Sequence, residues 1–250
     1  MPSPATAPAG FVRSRLFVSS TITEIEQVTP HMRRIRLAGP RLEGLSWIPG
    51  QQIRVEVTDF GAAIRRLRPN EAVRTYSIFD GDPVAGSLDL VVAQHEGGDG
   101  PGAAWARAAA VGDAVWFMRP QGDFTAVAGA ACHLFAGEET ASVAFAAILR
   151  SLPAAATVHG VVEAATAADH LPLPRPLTRI ERGTASAVRS QPLVDAVRAL
   201  DLPATPGVAY LAGEARTIQE VRRHLVGDRG WNRRDVRTKP FWTPGRRGME

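Results

Sequence analysis

Hydrophobic and polar residues alternate in the first half of the chain, which is the pattern of half-buried β-strands. The alternation is clear over residues 53–57 and 88–92, and a further short apolar run covers 115–118. Segments rich in glycine and proline, such as 49–50 and 120–122, predict tight turns between these runs. Many short strands with frequent turns predict a β-barrel or a β-sandwich.

The second half changes to strand candidates that alternate with helical patterns. The strand candidates are 132–136, 157–162 and 208–212, and the helical patterns are 140–149, 192–200 and 217–226. Such alternation predicts a parallel sheet that helices cover on both faces. We therefore expect two domains, at residues 12–127 and 128–250, after a disordered tail at 1–11 that is rich in proline, alanine and threonine.

The composition narrows the class of protein. Hydrophobic residues make up 45% of the 250-residue chain, enough for a substantial core. No apolar run reaches the roughly 18 residues of a membrane span, and the start of the chain lacks the features of a signal peptide, so we expect a soluble, cytoplasmic protein. The single cysteine, Cys132, allows no intramolecular disulfide, and the histidines show no metal-ligand spacing, so no metal site is expected.

Positive charge is concentrated near the end of the chain. The net charge is +4, and Lys239 is the only lysine among 29 basic residues. Arginines cluster with Lys239 over residues 216–247, where a small anion, a nucleic acid or a membrane surface could bind. No nucleic-acid-reading motif is present, and aromatic and basic residues are not interleaved, so we expect no nucleic-acid partner.

The strongest local motif lies in a strand candidate of the first half and reads Arg74-Thr75-Tyr76-Ser77. On an extended strand, Arg74 and Tyr76 share one face, and Thr75 and Ser77 share the other. An arginine fork can grip a diphosphate, a tyrosine ring can stack on a flavin, and a serine hydroxyl suits a flavin nitrogen that changes protonation. The alternative is an ordinary strand with one exposed arginine, because four residues alone are a weak signal.

Small residues open a predicted helix after this motif. The residues at that junction are Gly100, Pro101, Gly102, Ala103 and Trp105. Backbone N–H groups at such a helix start bind phosphate. The alternative is a plain loop-to-helix junction.

Two more strand-to-helix junctions occur in the second half. Gly137, Glu139 and Thr140 lie at the first, and Gly213, Glu214 and Ala215 lie at the second. Small residues allow a dinucleotide to approach closely, and Thr140 is a candidate N-cap, but neither junction is a G-x-G-x-x-G fingerprint. Glu163 ends a strand candidate, where an acid either binds an adenosine ribose or is simply solvated.

The order and spacing of these motifs resemble the siderophore-interacting protein family of FAD-dependent ferric-siderophore reductases, within the ferredoxin-reductase-like superfamily. The motifs that carry the resemblance are Arg74-Thr75-Tyr76-Ser77, Gly100-Pro101 with Trp105-Ala106, Gln121-Gly122-Asp123-Phe124, Gly137-Glu138-Glu139-Thr140-Ala141, Ala212-Gly213-Glu214-Ala215 and the tail from Arg222 to Trp242. It covers roughly residues 12–248. The resemblance implies an antiparallel, FAD-binding β-barrel followed by an α/β parallel-sheet domain that binds NAD(P)H.

The resemblance also implies roles for single residues. Those implied to bind FAD are Arg74, Thr75, Tyr76, Ser77, His95, Gly100, Pro101, Gly102, Ala103 and Trp105, and those implied to line the nicotinamide nucleotide path are Gly137, Glu139, Thr140, Gly213, Glu214 and Ala215. Arg74 would contact the FAD diphosphate, and Ser77 would lie beside flavin N5 as the one candidate catalytic residue. Lys239, Arg234 and Trp242 would meet an acidic iron chelate.

The chain departs from the family pattern at a few positions. Phe79 stands where the family often has a basic residue, and Phe241 precedes Trp242 where a tyrosine is common. Thr243 and Pro244, which follow, are also less typical. These departures bear more on the iron substrate than on FAD.

We therefore expect an FAD-dependent oxidoreductase that passes electrons from NADPH or NADH through flavin to a ferric siderophore, releasing iron as Fe(II). A flavin reductase or electron-transfer flavoprotein for another acceptor stays open, as does a flavin-binding protein without turnover. The donor also stays open between NADH, NADPH and reduced ferredoxin, because Arg175, Arg179 and Arg182 cannot be placed against a 2′-phosphate. We expect a monomer.

Overall fold

The computed structural model of the chain describes residues 15–66, 72–94 and 100–245. The predicted tail at 1–11 and the candidate flavin contact His95 lie outside the described residues.

Six strands of the described ranges close an antiparallel barrel in the first half. They are β1 (Phe17–Thr29), β2 (Met32–Ala38), β3 (Gln52–Glu56), β4 (Val73–Asp82), β5 (Ser87–Ala93) and β6 (Ala114–Gln121). Their order around the barrel is β1-β2-β5-β4-β3-β6, and a short helix α1 (Phe60–Arg65) follows β3. Ile53 and Val55 are fully buried and alternate with the half-buried Arg54, as the alternation of apolar and polar residues predicts. The predicted barrel is confirmed.

Strand β5 is buried on both faces, although its sequence predicts one polar face. Leu88 and Leu90 lie in the barrel core, whereas Val91 on the other face packs against Val143 of the second domain. Asp89 is buried because the guanidinium of Arg36 donates two hydrogen bonds of 2.8 and 2.9 Å to its carboxylate. A buried charge of this kind needs a paired partner.

Helix α2 (Pro101–Ala108) packs on the barrel and presents its start to β4. Ala106 and Ala109 join the barrel core, and Trp105 packs against it. Arg33 of β2 donates to the carbonyl of Ala106 across 2.7 Å, which satisfies a backbone acceptor at the end of the helix.

The second half forms a parallel five-stranded sheet with helices, as predicted. Its strands and helices are β7 (His133–Glu138), α3 (Ser142–Ser151), β8 (Val158–Ala164), β9 (Thr178–Glu181), α4 (Gln191–Arg198), β10 (Val208–Glu214), α5 (Ala215–Arg223) and β11 (Val236–Trp242). The strand order is β11-β10-β7-β8-β9. Because the strands are parallel, their carboxyl ends share one edge, which we call the carboxyl edge. Cys132 is fully buried in this domain, as expected of a small apolar residue.

The two domains pack through β4 and α3. The guanidinium of Arg150 lies 4.5 Å from the centroid of the Phe79 ring and donates a hydrogen bond to the Phe79 carbonyl. Phe79, which departs from the family pattern, thus contributes an aromatic surface to the domain interface. On the other side, Arg237 of β11 donates to the carbonyl of Asp123 across 2.7 Å.

Two searches of the described residues bear on function. None of the helices within these ranges is long and apolar enough to cross a membrane. Within the same ranges, histidine, cysteine, aspartate and glutamate side chains form no group of three or more that could hold a metal ion.

Candidate functional site

The Arg74–Ser77 motif lies in β4, between β3 and β5, where its residues alternate as an extended strand requires. Tyr76 joins β4 to the start of α2, because its hydroxyl donates to the carbonyl of Gly102 across 3.2 Å. Its ring lies 5.4 Å from the Trp105 ring, tilted by 37°. Burial raises the pKa of Tyr76 above its ordinary value, so the phenol keeps its proton and stays a donor.

The start of α2 lies directly against Arg74 and Tyr76. A Cβ atom at Gly102 would come within 3.0 Å of both the Arg74 Cγ and the Tyr76 hydroxyl, so glycine permits this close approach. No side chain caps the helix at Gly100, and Pro101 is its first residue. The first-turn N–H groups therefore depend on backbone, solvent or a ligand, and an uncapped helix start favours an anion. The structure brings together Arg74, Tyr76, Trp105 and the Gly100–Ala103 junction.

Ser77 is buried at the junction of the two domains, where its hydroxyl contacts Lys239. The Lys239 ammonium lies 3.5 Å from the Ser77 hydroxyl and 3.3 Å from the carbonyl oxygen of Gly50. It also lies 5.6 Å from the ring centroids of Phe124 and Phe241. Burial lowers the pKa of Lys239 to about 8. Lys239 is thus half-buried between domains, beside the candidate N5 residue.

The other two candidate substrate residues lie apart from one another. Trp242 ends β11 at the carboxyl edge, whereas Arg234 is exposed in the turn before β11 begins. The strand between them separates the two side chains by about 20 Å or more at 3.3 Å per residue. The structure therefore brings Lys239 and Trp242 to one end of the domain and leaves Arg234 at the other.

Glu138, at the end of β7, organises the first junction of the second domain. It is 2% exposed, and its carboxylate accepts hydrogen bonds from the Thr140 backbone N–H at 2.8 Å and from the Trp242 indole at 3.0 Å. The Thr140 hydroxyl also donates to Glu138. Burial, with a smaller contribution from the charge of Glu139, raises the pKa of Glu138 to about 7.

The expectation that Thr140 caps the following helix is wrong. A 3-10 turn (Glu139–Ala141) precedes α3, and the Glu138 side chain caps that turn by accepting from Thr140. Helix α3 itself begins at Ser142 without a side-chain cap. Our sequence reasoning gave Glu138 no role of its own, although an acid directly after an apolar strand is a visible signal.

The second junction holds a glycine and an acid for different reasons. Gly213 has φ of 113°, and a Cβ there would lie 2.6 Å from the Glu138 carboxylate. Glu214 caps α5 by accepting from the backbone N–H groups of Arg216 and Thr217 at 3.0 and 2.9 Å. Burial opposes the charge of Glu214, but these hydrogen bonds prevail and lower its pKa. Ala215 is the first residue of α5.

The end of β11 is attached to both junctions. Trp242 donates to Glu138, and the Thr243 hydroxyl donates to Glu214 across 2.9 Å. Thr243, which is less typical of the family, therefore holds the segment after β11 against β10. The carboxylates at the ends of β7 and β10 accept hydrogen bonds from two consecutive residues, Trp242 and Thr243.

Glu163 at the end of β8 is fully buried, which excludes the expectation of a solvated strand end. Ser190 donates a hydrogen bond to it, and an Arg182 nitrogen lies 3.9 Å away. Arg182 in turn donates two hydrogen bonds to the carboxylate of Glu139. Glu163 therefore lies beside Arg182 in the protein interior. Because it has no exposed surface, it does not contact a ribose bound at the carboxyl edge.

Comparison with known proteins identifies the family of both halves of the chain. A family model described as "Siderophore-interacting FAD-binding domain" matches residues 21–124, and one described as "Siderophore-interacting protein" matches residues 130–245. The siderophore-interacting protein SipS of Aeromonas hydrophila is 26% identical, with a TM-score of 0.74, over 91% of this chain and 98% of that chain. An uncharacterised protein of Mycobacterium tuberculosis is 26% identical over 90% of this chain and 89% of its own length.

More distant structures show the fold alone. Phthalate dioxygenase reductase, described as transferring electrons from pyridine nucleotides to a [2Fe-2S] centre, is 15% identical with a TM-score of 0.66. The likeness covers 90% of this chain and 68% of that reductase. This is the ferredoxin-reductase-like architecture. With its barrel and its sheet matched by the two models of one family, the chain belongs to the siderophore-interacting proteins.

Proposed function

We propose that the protein is an FAD-dependent reductase that passes electrons from a nicotinamide nucleotide to a ferric siderophore. The observation that carries the proposal is the contact between Ser77 of the barrel and Lys239 of β11, 3.5 Å apart. A flavin bound along Arg74–Ser77 of β4 would lie next to β11 at this contact. Strand β11 ends at the carboxyl edge. Ligands of open parallel sheets bind beyond such edges.

The residues around β4 fit FAD. Gly102 lets the start of α2 pack directly against Arg74 and Tyr76, and this helix start has no side-chain cap. Arg74 and the first turn of α2 would hold the diphosphate, and Tyr76 with Trp105 would supply aromatic surface for the flavin and its ribityl chain. The chemistry that FAD supplies when bound is acceptance of a hydride from a reduced nicotinamide and release of single electrons to Fe(III).

The carboxyl edge fits the electron donor. Gly137 and Gly213 come one residue before the ends of two neighbouring strands, at the carboxyl edge. A Cβ at Gly137 would meet the Ala212 carbonyl and one at Gly213 would meet the Glu138 carboxylate, so both glycines permit the close packing of the strand ends against which the donor would lie. Ser77 from the barrel and Lys239 from β11 would face the proposed donor site together and would exclude water from one side of it.

Lys239 would serve the acceptor as a cation. Catecholate and carboxylate iron chelates are anionic, and an ammonium is a compact point charge for such a ligand. Because Lys239 is half-buried, its attraction is screened less by salt than that of an exposed lysine.

A second candidate function follows from the same position. The contacts of Lys239 with Ser77 and Gly50 support an electrostatic effect of its ammonium on the flavin as much as on a bound chelate. In that case the protein is a flavin reductase for a different acceptor, and the ferric chelate would have no special access.

One anaerobic experiment separates these functions. The purified protein is expected to contain FAD that NADH or NADPH reduces and that a ferric siderophore then reoxidises under argon. The gallium(III) form of the same siderophore, which has the same charge but cannot be reduced, is the matched control. Reoxidation by ferricyanide but not by ferric siderophores would support the second function, and a protein without flavin would contradict both.

A further inference from the structure

A cleft of about 250 Å³ lies between the barrel and the carboxyl edge, away from the Ser77–Lys239 contact. Residues that follow three strands form one wall: Glu139 after β7, Ala165 and Asp169 after β8, and Arg182 after β9. The turn between β1 and β2 and the end of β5 form the other wall, with His31 and Gln94. The His31 ring and the Asp169 carboxylate join the two walls across 2.7 Å.

The strand order connects this cleft to the proposed donor site. Lys239 is on β11, the last strand of the sheet, so a dinucleotide whose nicotinamide lies there can extend along the edge only over β10, β7, β8 and β9. Four strand spacings cover about 19 Å. The adenosine half of an extended dinucleotide would then reach β8 and β9, where the cleft lies.

The charges of the cleft decide which adenosine it can accept. Of the described residues that line it, Arg182 is the permanent cation, and Glu139 and Asp169 are the acids. Apart from His31, the lining carries a net charge of −1. A 2′-phosphate, which brings further negative charge, is typically received by an arginine, whereas a ribose 2′-hydroxyl is received by an acid.

Arg182 is already paired with two carboxylates. Its guanidinium donates two hydrogen bonds to Glu139 and lies 3.9 Å from Glu163, which is fully buried. Turning Arg182 toward a phosphate would leave two carboxylates without their cation, one of them in the protein interior, and such uncompensated burial is strongly unfavourable.

Arg182 is the one arginine among the described residues that line the cleft. Arg175 donates to the carbonyls of Leu152, Pro153 and Ala156. Arg179 is exposed on β9 and does not line the cleft.

We propose that the electron donor of this protein is NADH rather than NADPH, and that the Glu139–Arg182–Glu163 cluster determines this choice. The carboxylate of Glu139, oriented by Arg182, accepts a hydrogen bond from the ribose diol of NADH and repels the 2′-phosphate of NADPH. This inference rests on the proposed function, since it needs a flavin that a nicotinamide nucleotide reduces.

The test is anaerobic stopped-flow reduction of the bound FAD by each nucleotide, which requires no iron acceptor. We expect the ratio of reduction rate constant to dissociation constant to favour NADH by about tenfold or more, that is by at least ~1.4 kcal/mol. Glu139→Gln should lower this preference by about tenfold, because it removes the repelling charge and frees Arg182. Glu43→Gln, at an exposed position on the barrel, is the charge-matched control and should keep the wild-type preference.

A second variant protects the test against a folding defect. Asp169→Asn removes the other negative charge of the cleft and should shift the preference toward NADPH in the same direction. FAD content and thermal unfolding of each variant show whether the fold is retained.

The outcomes are distinct. Equal use of both nucleotides, or a preference for NADPH, would overturn the inference while leaving the proposed reductase function intact. An unchanged preference in Glu139→Gln, with FAD content and thermal unfolding retained, would show that this cluster is not the determinant, whatever Asp169→Asn does. A flavin that neither nucleotide reduces would overturn this inference together with the donor assignment of the proposed function.

Discussion

The ammonium of Lys239 lies 3.5 Å from the hydroxyl of Ser77, although the two residues are 162 positions apart in the chain. Ser77 belongs to the barrel and Lys239 to the last strand of the sheet. Their contact places the only lysine of the protein at the meeting point of two domains that the sequence motifs treat separately.

Lys239 should make reduction of an anionic acceptor dependent on pH. Burial lowers its pKa to about 8, so the ammonium loses its charge as pH rises through that value. We expect the second-order rate constant for an anionic ferric chelate to fall over that range in the wild type. Lys239→Arg should abolish the fall because arginine stays protonated, and Lys239→Gln should be slow at all pH values.

An uncharged quinone acceptor is the control for this pH profile, since its rate should not follow the charge of Lys239. The same fall with the quinone, or its persistence in Lys239→Arg, would assign the profile to another group.

Ser77 should affect the rate of flavin reduction more than flavin retention. Ser77→Ala removes a hydroxyl beside the proposed N5 position and the contact with Lys239. We expect FAD content near the wild-type level but slower reduction by the nicotinamide nucleotide in stopped flow. Ser151→Ala, whose hydroxyl donates to the Ile148 carbonyl on α3, is the matched control. Wild-type reduction rates in Ser77→Ala would show that Ser77 has a structural role only.

Arg74 should contribute to FAD affinity. Arg74→Ala removes a guanidinium next to the uncapped start of α2, and hydrogen bonds to charged groups contribute about 1.5–3 kcal/mol. We therefore expect the Kd for FAD, measured by fluorescence quenching on the apoprotein, to rise by roughly ten- to a hundredfold. Arg41→Ala, at an exposed position, should leave that Kd unchanged. Equal affinity in the two variants would remove Arg74 from the site.

Gly102 tests whether close packing of α2 on β4 shapes the same site. Gly102→Ala would place a Cβ 3.0 Å from both the Arg74 Cγ and the Tyr76 hydroxyl, so these side chains must shift. Overpacking of this kind costs about 1–3 kcal/mol, and we expect both weaker FAD binding and a lower Tm. Gly227→Ala, where the added Cβ meets nothing within 4 Å, is the control. Unaltered FAD binding in Gly102→Ala would mean that the FAD site tolerates a methyl side chain at the start of α2.

The fold was predictable because its elements have strong local patterns. Alternating residues such as Ile53, Arg54 and Val55 predict a barrel strand, and they occupy one. The pattern misleads only where a second domain covers an outer face. Val91 of β5 is buried by Val143, and no periodicity within β5 contains that information.

The candidate site was predictable only in part, for the same reason. The short motifs located the barrel strand and both strand ends, but the partners of Lys239, Glu139 and Glu163 come from distant segments. A sequence pattern cannot show that Arg182 joins two acids or that Glu163 is fully buried. These relations depend on how the strand ends are aligned in the sheet.

Glu138 should make the stability of the protein fall as pH rises toward neutrality. Burial raises its pKa from 4.5 to about 7, so between these values the folded state binds a proton that the unfolded state has released. Its contribution to stability is therefore complete below pH 4.5 and is lost as pH rises through about 7.

Glu138→Gln keeps a side chain of the same shape that cannot titrate. We expect the difference in unfolding free energy between wild type and this variant to change with pH over that window, measured by chemical denaturation at a series of pH values. Glu220→Gln on α5 is the charge-matched control. A pH-independent difference for Glu138→Gln would mean that the hydrogen bonds from Trp242 and Thr140 keep this carboxylate ionised despite its burial.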